Sequence, residues 1–595
     1  MKFLLSFIIV LICSVYPKGL SQILPTQYQS HWENAGMKQV FSATNNILNI
    51  LDFGADSTGV LSSDTALLNA LNTQSSSIKE IYFPEGNYLF NQTIILGANT
   101  ILKGEGSHKT NLKFALGGTD KHGILIKGNA TNIISLITNS VFKGDSVLKI
   151  AIPDSFNIGD FIKIEFNDSS LVTDSWGLGT VGQIVEILAK SGNDIKISSL
   201  IRLNYNLSDN PRIRKINMIK NVGIECLKIL RTDSTIDQTH NILFEFVENA
   251  FVKGIVSEKS NFAHIALLNS TNIEIKGSCF YDAFGFGEGG KAAGILCGNT
   301  SNECLIENNV FDHLRHSMLL QTGANANVFA YNYSIHPFWN QSPLPSNAAG
   351  DIVLHGNYPY ANLFEGNIVQ NIVIDNAHGR NGPYNCFFRN RSELYGIIMN
   401  NNPATDSIAF VGNEITNPNS PFGNYILFGA GHFQYGNNLN NVIKPNGTNN
   451  LIDTSYYLNN YPSFMTGYSL PSIGTPNLLN SKTIPSKERY LAGVLTTCGG
   501  LLPNPPVGFK TPDISPSKYC VFPNPSSGII YISGKFNNRS QLNMKIWNEL
   551  GQLVFEKSIL PECGIFLNYL PDGMYIIGLT AQNGTIEFLK MILKK

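Results

Sequence analysis

The chain has 595 residues, a formal net charge of −1, only 14% charged residues and 53 glycines. This length allows a large core and more than one domain, and the absence of a basic stripe argues against nucleic acid as a partner. Low charge combined with many turn-forming and β-branched residues favours a β-rich fold.

The first 21 residues have the pattern of a secretory signal peptide. Lys2 is followed by an apolar run over residues 3–15, which is too short to span a bilayer comfortably, and Gly19 and Ser21 form a small-x-small cleavage site. Cys13 leaves a lipoprotein signal as the alternative. No second apolar run of sufficient length follows, so we predict no transmembrane segment.

One helix and several short strands are predicted for the start of the mature chain. SDTALLNAL (63–71) begins with a Ser/Asp/Thr N-cap cluster and has helical apolar spacing, which predicts a capping helix. IYFPEGNYLF (81–90) and TIILGANTILKGEG (93–106) predict strands separated by turn glycines. At about 140–215, alternating runs such as GDFIKIEF and GQIVEILAK predict a small β-rich excursion that could help to shape a cleft.

A register of short apolar runs, most of them closing on asparagine, returns through the middle of the chain. It is clearest in LIENNVF (305–311), VFAYNYS (328–334), LFEGNIV (363–369), FFRNRSE (387–393) and AFVGNEI (409–415). Its spacings are 23, 31, 23, 35, 23 and 23 residues, and its positions are Ile255, Ser278, Asn309, Asn332, Asn367, Asn390 and Asn413. A period in the low twenties with short strands indicates a solenoid.

The register predicts a parallel β-helix with coils of about 23 residues and not a leucine-rich repeat, whose leucine spacing is absent. Strands of successive coils would stack about 4.8 Å apart, so that an asparagine of one coil faces the asparagine of the next. Because an amide both donates and accepts, the stacked side chains can bond along the whole column. We therefore predict an inward-facing asparagine ladder and not a row of catalytic groups.

The opening of the mature chain resembles that of right-handed β-helix proteins of the pectate lyase superfamily. The matching stretches are ILDFGADSTGVLSSDTALLNAL (50–71), IYFPEGNYLF and NTILKGEGS (99–107). The resemblance implies a right-handed coil but no single activity, because relatives include lyases, glycoside hydrolases, epimerases and phage tailspikes. The aspartate patterns of the superfamily's polygalacturonases and of the pectate lyase calcium site are not evident, so its catalytic residues cannot be carried over.

Two register spacings exceed 23 residues, and two aromatic loops account for the excess. These loops are FGFGEGGK (284–291) and HPFWNQSPLPSN (336–347), which leave the coil at nearly the same phase. They would therefore rise from one face of the solenoid and wall a groove. The candidate sugar-stacking side chains in them are Phe284, Phe286, Phe338 and Trp339.

Histidines also recur at fixed phases of the coil. Four residues after the register lie His313 and His336, which would stack beside the aromatic loops. Twelve residues before the register lie His355 and His378, on adjacent coils, and IDNAHGRNG (374–382) adds Asp375 and Arg380. A column of solvated polar side chains is the alternative interpretation, because the outer face of a solenoid is mostly polar.

Cleavage of a uronic polysaccharide by β-elimination needs a base for the C5 proton, a cation at the carboxylate and an acid for the leaving oxygen. His355 or His378 with Arg380 fits these roles best, and His313 and His336 are the second choice. Arg389 and Arg391 are further candidates for substrate binding, and Ca²⁺ is a candidate cofactor.

Hydrolysis would instead need two carboxylates at a suitable separation. Asp351 with Asp375 is one candidate pair, and Asp282 with Asp312 is the other. The sequence does not decide between these pairs, nor between hydrolysis and elimination.

The C-terminal 80 residues form a separate module. PNPSSG (523–528), NELGQ (548–552), LPDGMY (570–575) and the basic end at Lys594–Lys595 resemble the C-terminal sorting domain of the type IX secretion system of Bacteroidetes. The resemblance implies the type IX machinery as a partner and export through the periplasm and outer membrane, to the medium or the cell surface. An ordinary β-sandwich carbohydrate-binding module is the alternative.

The cysteines are predicted to be structural. Cys226, Cys279, Cys297, Cys304 and Cys386 lie in apolar strand-like runs, which favours buried free thiols. Cys520 and Cys563 lie apart from these and are candidates for one disulfide bridge.

The predicted fold class is all-β, with four parts along the chain. They are a signal peptide (1–21), a right-handed parallel β-helix (22–455), a Pro-rich linker (456–515) and a C-terminal β-sandwich sorting domain (516–595). We expect a secreted monomer that cleaves an extracellular uronic-acid polysaccharide by lyase chemistry. A glycoside hydrolase on the same fold and a non-enzymatic, glycan-binding surface adhesin are the alternatives.

Overall fold

The computed structural model describes residues 23–43, 46–287, 289–340, 345–458, 460–501 and most of 519–593. The predicted signal peptide and the proposed Cys520–Cys563 bridge lie outside the described residues. The chain divides into two compact units after residue 502. Within the described part, no helix is both long and apolar enough to cross a membrane.

The first unit is a parallel β-helix in which each full coil contributes three strands, one to each of three stacks that we name A, B and C. Parallel pairing joins each strand to its equivalent in the next coil, as between Leu305–Glu307 and Val328–Ala330. Stacks B and C merge where the long strands Ile368–Ile374 and Arg391–Met399 run through both. The predicted all-β, right-handed parallel β-helix is confirmed.

The strands of stack A are Ile47–Asn49, Lys79–Phe83, Thr100–Gly104, Ile219–Lys220, Val222–Glu225, Val247–Lys253, Thr271–Lys276, Leu305–Glu307, Val328–Ala330, Leu363–Glu365, Cys386–Phe388, Ala409–Val411 and Phe433–Tyr435. Those of stack B alone are Thr58–Ser62, Gly86–Phe90, Thr110–Phe114, Lys228–Arg231, Val256–Ser260, Cys279–Ala283, Val310–Asp312, Tyr333–Ile335, Glu414–Ile415, Asn437–Leu439 and the antiparallel Val442–Lys444. Those of stack C alone are Ile94–Ile95, Ile124–Lys127, Ile242–Glu245, Ala263–Leu268, Ala293–Gly298, His316–Leu320, Ile352–Leu354 and Asn424–Ile426.

Helices are few and short. The α-helices are Asp64–Asn72 and Pro485–Leu491. The 3₁₀ turns are Thr26–Tyr28, Trp32–Asn34, Ile50–Phe53, Pro153–Ser155, Ser175–Gly177, Leu207–Asp209, Ser346–Ala348 and Ser463–Met465. Asp64–Asn72 is the predicted capping helix, and it places Ala66, Leu67 and Ala70 in the core between the three stacks.

Aromatic side chains stack through this core from coil to coil. The ring centroids of Phe329, Phe364, Phe387 and Phe410 follow one another at 5.5, 4.8 and 5.3 Å. Each ring is fully buried and lies at the same position of its coil. The repeat therefore stabilises the fold twice, through backbone pairing between coils and through offset stacking of rings.

The predicted asparagine ladder is confirmed, and it continues one coil further, to Asn437. The Nδ2 group of each asparagine donates to Oδ1 of the next at 2.8–3.1 Å, along Asn309, Asn332, Asn367, Asn390, Asn413 and Asn437. A second ladder, missed in the sequence, joins Asn327, Asn362 and Asn385 at 3.0 Å per step. Both columns lie at turns beside stack A and saturate buried amide groups.

Replacing Asn367 by leucine is expected to lower the free energy of unfolding of the β-helix by about 1–3 kcal/mol. The Asn367 side chain accepts two hydrogen bonds from Asn332 and donates to Phe329 O and Asn390 Oδ1, so leucine leaves buried partners unpaired. Chemical denaturation would measure the change. As a control, Asn400→Leu removes an exposed amide pair with Asn376 and should change stability by less than about 0.5 kcal/mol. Equal losses in both variants would contradict the ladder's energetic role.

The predicted excursion is a six-stranded antiparallel sheet inserted between stacks C and A. Its strands in spatial order are Val147–Lys149, Asp194–Ile197, Gly182–Ser191, Phe161–Glu165, Arg212–Asn217 and Asn129–Leu136. It docks on turns of the central coils, where Ile184 N donates to Asn302 Oδ1 at 3.0 Å and the Tyr360 hydroxyl to Gly182 O at 2.5 Å. We call the turns that lead from stack C to stack A the C-to-A turns. We call the six-stranded sheet together with its loops the insertion.

The boundary predicted for the Pro-rich linker is wrong. Residues 453–501, which we call the strap, pack along stack A, and Tyr456, Tyr457 and Ile473 share a buried cluster with Phe388 and Val411. The strap docks because the outer side chains of stack A on these coils are apolar or are buried acceptors, such as Glu365, which accepts from Tyr456 N at 2.8 Å. The rest of the predicted linker lies outside the described residues.

A disulfide bond joins Cys226 to Cys498 and ties the end of the strap to an early coil. The prediction of a free thiol at Cys226 is therefore wrong. The other thiols predicted to be free, Cys279, Cys297, Cys304 and Cys386, are free and buried. The strap closes with the short hairpin of Val494–Thr496 and Gly499–Leu501.

The second unit contains two antiparallel sheets. One is formed by Tyr519–Phe522, Ile529–Gly534 and Ile565–Phe566, and the other by Leu553–Ile559, Leu542–Asn548, Gly573–Thr580 and Ile586–Leu593. Ile530 and Ile532 of the first sheet share one buried cluster with Met544, Ile546 and Ile577 of the second. The unit therefore has a core of its own.

Candidate functional site

His355 and Asp375 form a hydrogen-bonded pair where stack C ends on two adjacent coils. His355 directly follows Ile352–Leu354 and Asp375 follows Ile368–Ile374, and His355 Nδ1 lies 2.7 Å from Asp375 Oδ2. Each side chain is 14% exposed. Burial acts to raise the pKa of Asp375, but the facing His355 and its hydrogen bond outweigh this effect, so the pKa is lowered overall. The ionised carboxylate can only accept, so Nδ1 carries the proton and Nε2 remains free to exchange one.

A second pair faces the first from the insertion. His378 Nδ1 lies 2.8 Å from Asp174 Oδ2, and the edge of the Trp176 ring meets the His378 ring at 5.0 Å between centroids. The Trp176 side chain is half exposed. Asp174 and Trp176 were missed in the sequence, because they lie about two hundred residues away from His378 in a loop without periodicity.

The two imidazoles converge. The ring centroids of His355 and His378 are 4.8 Å apart and the rings are nearly perpendicular. Neither Nε2 atom has a hydrogen-bond partner within the described part of the chain. Arg380 follows two residues after His378, is exposed, and forms no ion pair with any described residue. We call His355, His378, Asp375, Asp174 and Trp176, together with Arg380 two residues further along the chain, the histidine site.

A third histidine, His316, packs against the ring of His355. The His316 ring centroid is 5.6 Å from that of His355, and its Nδ1 donates to Gly350 O at 3.1 Å. Burial lowers the pKa of His316 to about 3, so the ring is neutral at working pH. His316 therefore packs against the histidine site as a neutral ring and adds no charge to it.

The loop that carries Asp174 is fixed by close contacts with the C-to-A turns. Asn357 Oδ1 accepts from Thr173 N at 2.9 Å and from Asp174 N at 3.2 Å. A Cβ atom on Gly379 would lie 1.8 Å from Thr173 Oγ1, and one on Gly177 would lie 2.8 Å from Asn357 Cγ. A larger residue at either position would force the Thr173 or Asn357 side chain to move, so this close packing helps to determine where Asp174 meets His378.

The two aromatic loops converge at the other end of stack C. The ring of His313 lies 4.5 Å from Phe286 and 5.2 Å from Phe338, and its Nδ1 lies 3.4 Å from Asp282 Oδ1. His336 pairs separately with Asp312 at 2.7 Å, and that hydrogen bond raises its pKa. The two imidazoles here face different carboxylates, Asp282 and Asp312.

The other aromatic candidates in these loops pack against cations of the protein itself. The Arg315 guanidinium lies 4.8 Å from the ring centroid of Trp339, and the Lys259 ammonium lies 5.8 Å from that of Phe284. Of the four predicted sugar-stacking rings, Phe286 and Phe338 are therefore the pair that the structure brings together, at 5.2 Å.

Three sequence-based site predictions are wrong, because the side chains are buried and already bound. Asp351 is 1% exposed and accepts from Ser334 Oγ at 2.5 Å and Asn371 N at 2.7 Å, so a substrate cannot reach it. Burial raises the pKa of Asp351 to about 6. Arg389 and Arg391 are 2% and 1% exposed and hold the strap through carbonyl groups, among them Asp453 O and Lys482 O.

No group of three or more His, Cys, Asp or Glu side chains within the described ranges could hold a metal ion. The two imidazoles of the histidine site can exchange protons, and the guanidinium of Arg380 can bind an anion.

Two family models match the chain. Residues 47–163 match the model described as rhamnogalacturonase A/epimerase, pectate lyase-like, and residues 520–594 match the secretion system C-terminal sorting domain. Residues 47–163 are therefore pectate lyase-like and the chain carries a C-terminal sorting domain, as the sequence motifs predicted. The sorting domain assigns it to type IX secretion, to the cell surface or the extracellular space.

Several solved structures are similar in fold. The tailspike protein gp49 of Pseudomonas phage LKA1 has 15% identity and a TM-score of 0.47, and the match covers 62% of this chain and 64% of the tailspike. An exopolygalacturonase of Thermotoga maritima has 12% identity and a TM-score of 0.30, with coverage of 64% and 89%. A mannuronan C-5 epimerase A-module of Azotobacter vinelandii has 15% identity and a TM-score of 0.27, with coverage of 65% and 99%. No curated protein matches the chain.

Proposed function

We propose that this protein is a secreted enzyme that cleaves an extracellular uronic-acid polysaccharide by β-elimination at the histidine site. The observation that carries the proposal is the pair of imidazoles 4.8 Å apart, each bound at Nδ1 by a carboxylate. The match to a pectate lyase-like model and the export signal agree with a polysaccharide outside the cell as substrate.

The proposed reaction needs two proton transfers. Nε2 of one imidazole removes the C5 proton of a uronate residue, the electron pair forms the C4–C5 double bond, and the C4–O bond breaks. Nε2 of the other imidazole gives its proton to the leaving oxygen. We assign the base role to His355, because its partner Asp375 is the more enclosed carboxylate and stabilises the imidazolium that forms.

Arg380 completes the reaction by binding the uronate carboxylate. Its guanidinium keeps its charge at any working pH and can clamp a carboxylate through two parallel hydrogen bonds. Charge that moves onto the carboxylate as the C5 proton leaves would be stabilised there. The half-exposed Trp176 ring, beside His378, offers a flat apolar face for the sugar.

Hydrolysis is less favoured by this geometry. Asp174 and Asp375 are the carboxylates of the histidine site, and each is engaged with an imidazole. A general acid or nucleophile would have to leave that hydrogen bond. Glycan binding without cleavage has one specific observation in its favour, the paired Phe286 and Phe338 rings beside His313, which lie outside the histidine site.

Incubation of the purified chain with polygalacturonate, alginate and rhamnogalacturonan tests the proposal. Elimination yields both new reducing ends and the ultraviolet absorbance of an unsaturated uronate with at least one of these polymers. Reducing ends without that absorbance would indicate hydrolysis. No cleavage of any of them, with binding retained, would favour the adhesin.

Deletion of residues 516–595 is expected to leave the β-helix folded but to keep it out of the medium and off the cell surface of a type IX-secreting host. The second unit has its own core, so its removal takes no side chain from the core between the three stacks. Immunoblots of periplasm and medium would locate the protein, with the full chain as control. Normal export of the truncated protein would contradict the role of the sorting domain.

A further inference from the structure

A cleft of about 290 Å³ lies between the insertion and the C-to-A turns. Its lining from the turns includes Tyr358, Pro383 and Tyr384, and its lining from the insertion includes Lys143 and Leu203. The cleft adjoins the histidine site, because Tyr358 N donates to Arg380 O at 3.0 Å. A chain-like ligand held at Arg380 could therefore continue into it.

Lys143 is a half-buried cation in this cleft without a counter-ion. Its ammonium lies 3.7 Å from the ring centroid of Tyr384 and donates to Gln27 O, and no described carboxylate pairs with it. Burial lowers the pKa of Lys143 to about 8, and no neighbouring charge offsets the effect. A partly desolvated, uncompensated ammonium gains most from an anion, which would restore its pKa.

The rest of the cleft is polar but nearly free of competing charge. The other cation in the lining, Arg202, is neutralised by an ion pair with buried Glu303. Asp209 is the carboxylate that lines the cleft, and it is not among the groups that shift the pKa of Lys143. Amides of the lining supply uncharged hydrogen-bond groups; they are Asn167, Asn204 and Asn206.

We propose that this cleft is a subsite for an acidic sugar, in which the Lys143 ammonium binds the carboxylate of a second uronate residue. The inference rests on the proposed function, since the same glycan would pass from Arg380 into the cleft. Tyr358 and Tyr384 would face the sugar ring, as aromatic side chains do where one end of a ligand is apolar and the other wet. The insertion would then make the enzyme selective for polymers with repeated carboxylates.

The subsite is tested on the full chain with oligogalacturonate and oligomannuronate as probes. Lys143→Gln is expected to raise KM for the cleaved polymer about tenfold and to leave kcat within about twofold, because one charged hydrogen bond is lost away from the reacting bond. Lys143→Arg should restore most of the affinity. Lys149→Gln, at an exposed lysine of the same insertion, is the matched control and should change neither constant.

Measuring oligosaccharide binding to the His355→Ala variant distinguishes this inference from the proposed function. Calorimetry is expected to show the acidic oligosaccharides binding about tenfold more weakly when Lys143→Gln is added, whether or not the parent cleaves them. Equal binding with and without Lys143→Gln would overturn the subsite even if cleavage at the histidine site is established. Binding of neither oligosaccharide would overturn it as well.

Discussion

His355→Ala is expected to lower kcat for glycan cleavage by at least about 10²-fold, because it removes the base that takes the C5 proton. His378→Ala should cause a loss of similar size by removing the acid, or by exposing Asp174 without its partner. The double variant should lose little more than either single one, since residues that act as a unit are not additive. Initial rates with the polymer that the wild type cleaves would measure all three.

His336→Ala is the matched control for these variants. His336 is also paired with a carboxylate, at 2.7 Å from Asp312, but it lies beside the aromatic loops at the other end of stack C. Its replacement should leave kcat within about threefold of the wild type, the range expected of a residue outside the reaction. Full activity in His355→Ala and His378→Ala, with loss in His336→Ala, would move the reaction to the loop-bearing end.

Glu414→Ala is expected to lower the free energy of unfolding of the β-helix by about 3–5 kcal/mol, the usual effect of leaving a buried charge unpaired. Glu414 is fully buried, lies 2.6 Å from Arg391 Nε, and also accepts from Gly474 N at 2.8 Å. Its loss leaves the guanidinium without a counter-ion and removes an anchor of the strap. Urea denaturation followed by tryptophan fluorescence would measure the change.

The ion pair between Glu393 and Lys487 provides the comparison for Glu414. It also joins the β-helix to the strap, at 2.6 Å, but its side chains are 19% and 20% exposed. Glu393→Ala should therefore lower stability by only about 1 kcal/mol, because water can solvate the lysine that remains. Similar losses in the two variants would show that burial of Arg391 is not what makes Glu414 important.

The repetitive part of the fold could be predicted because a solenoid repeats its physical demands at a fixed spacing. Each coil has to provide hydrogen-bond partners for the buried polar groups of a turn, so an asparagine returns at Asn309, Asn332 and Asn367. The spacing itself identifies the column. The second ladder carried the same signal in the 35- and 23-residue spacings of Asn327, Asn362 and Asn385. The prediction did not include this column because it rested on a single register position.

Only part of the histidine site could be predicted from the sequence. His355 and His378 share a coil phase, which periodicity reveals, and the structure places their rings together. Asp174 and Trp176 come from the insertion, whose position on the coils depends on contacts such as Thr173 against Gly379. Contacts between segments so far apart leave no spacing in the sequence.

Side chains that bind the strap were wrongly predicted to bind substrate, for a related reason. Arg389 occupies a position of the coil whose side chains point outward, and a solenoid without the strap would leave it exposed. The strap covers it, and its guanidinium donates to Asp453 O at 2.6 Å. The proline-rich composition of residues 456–515 suggested a linker because it lacks regular periodicity, although Tyr456, Tyr457 and Met465 bury as deeply as core residues.

A crystal structure of His355→Ala soaked with the oligouronate that the wild type cleaves tests the central claim most directly. We expect one uronate residue with its carboxylate on Arg380 and its C5 hydrogen directed to the space left by the missing imidazole. His378 Nε2 should lie within hydrogen-bond distance of the glycosidic oxygen. A glycan bound against Phe286, Phe338 and His313, with the histidine site empty, would contradict the account.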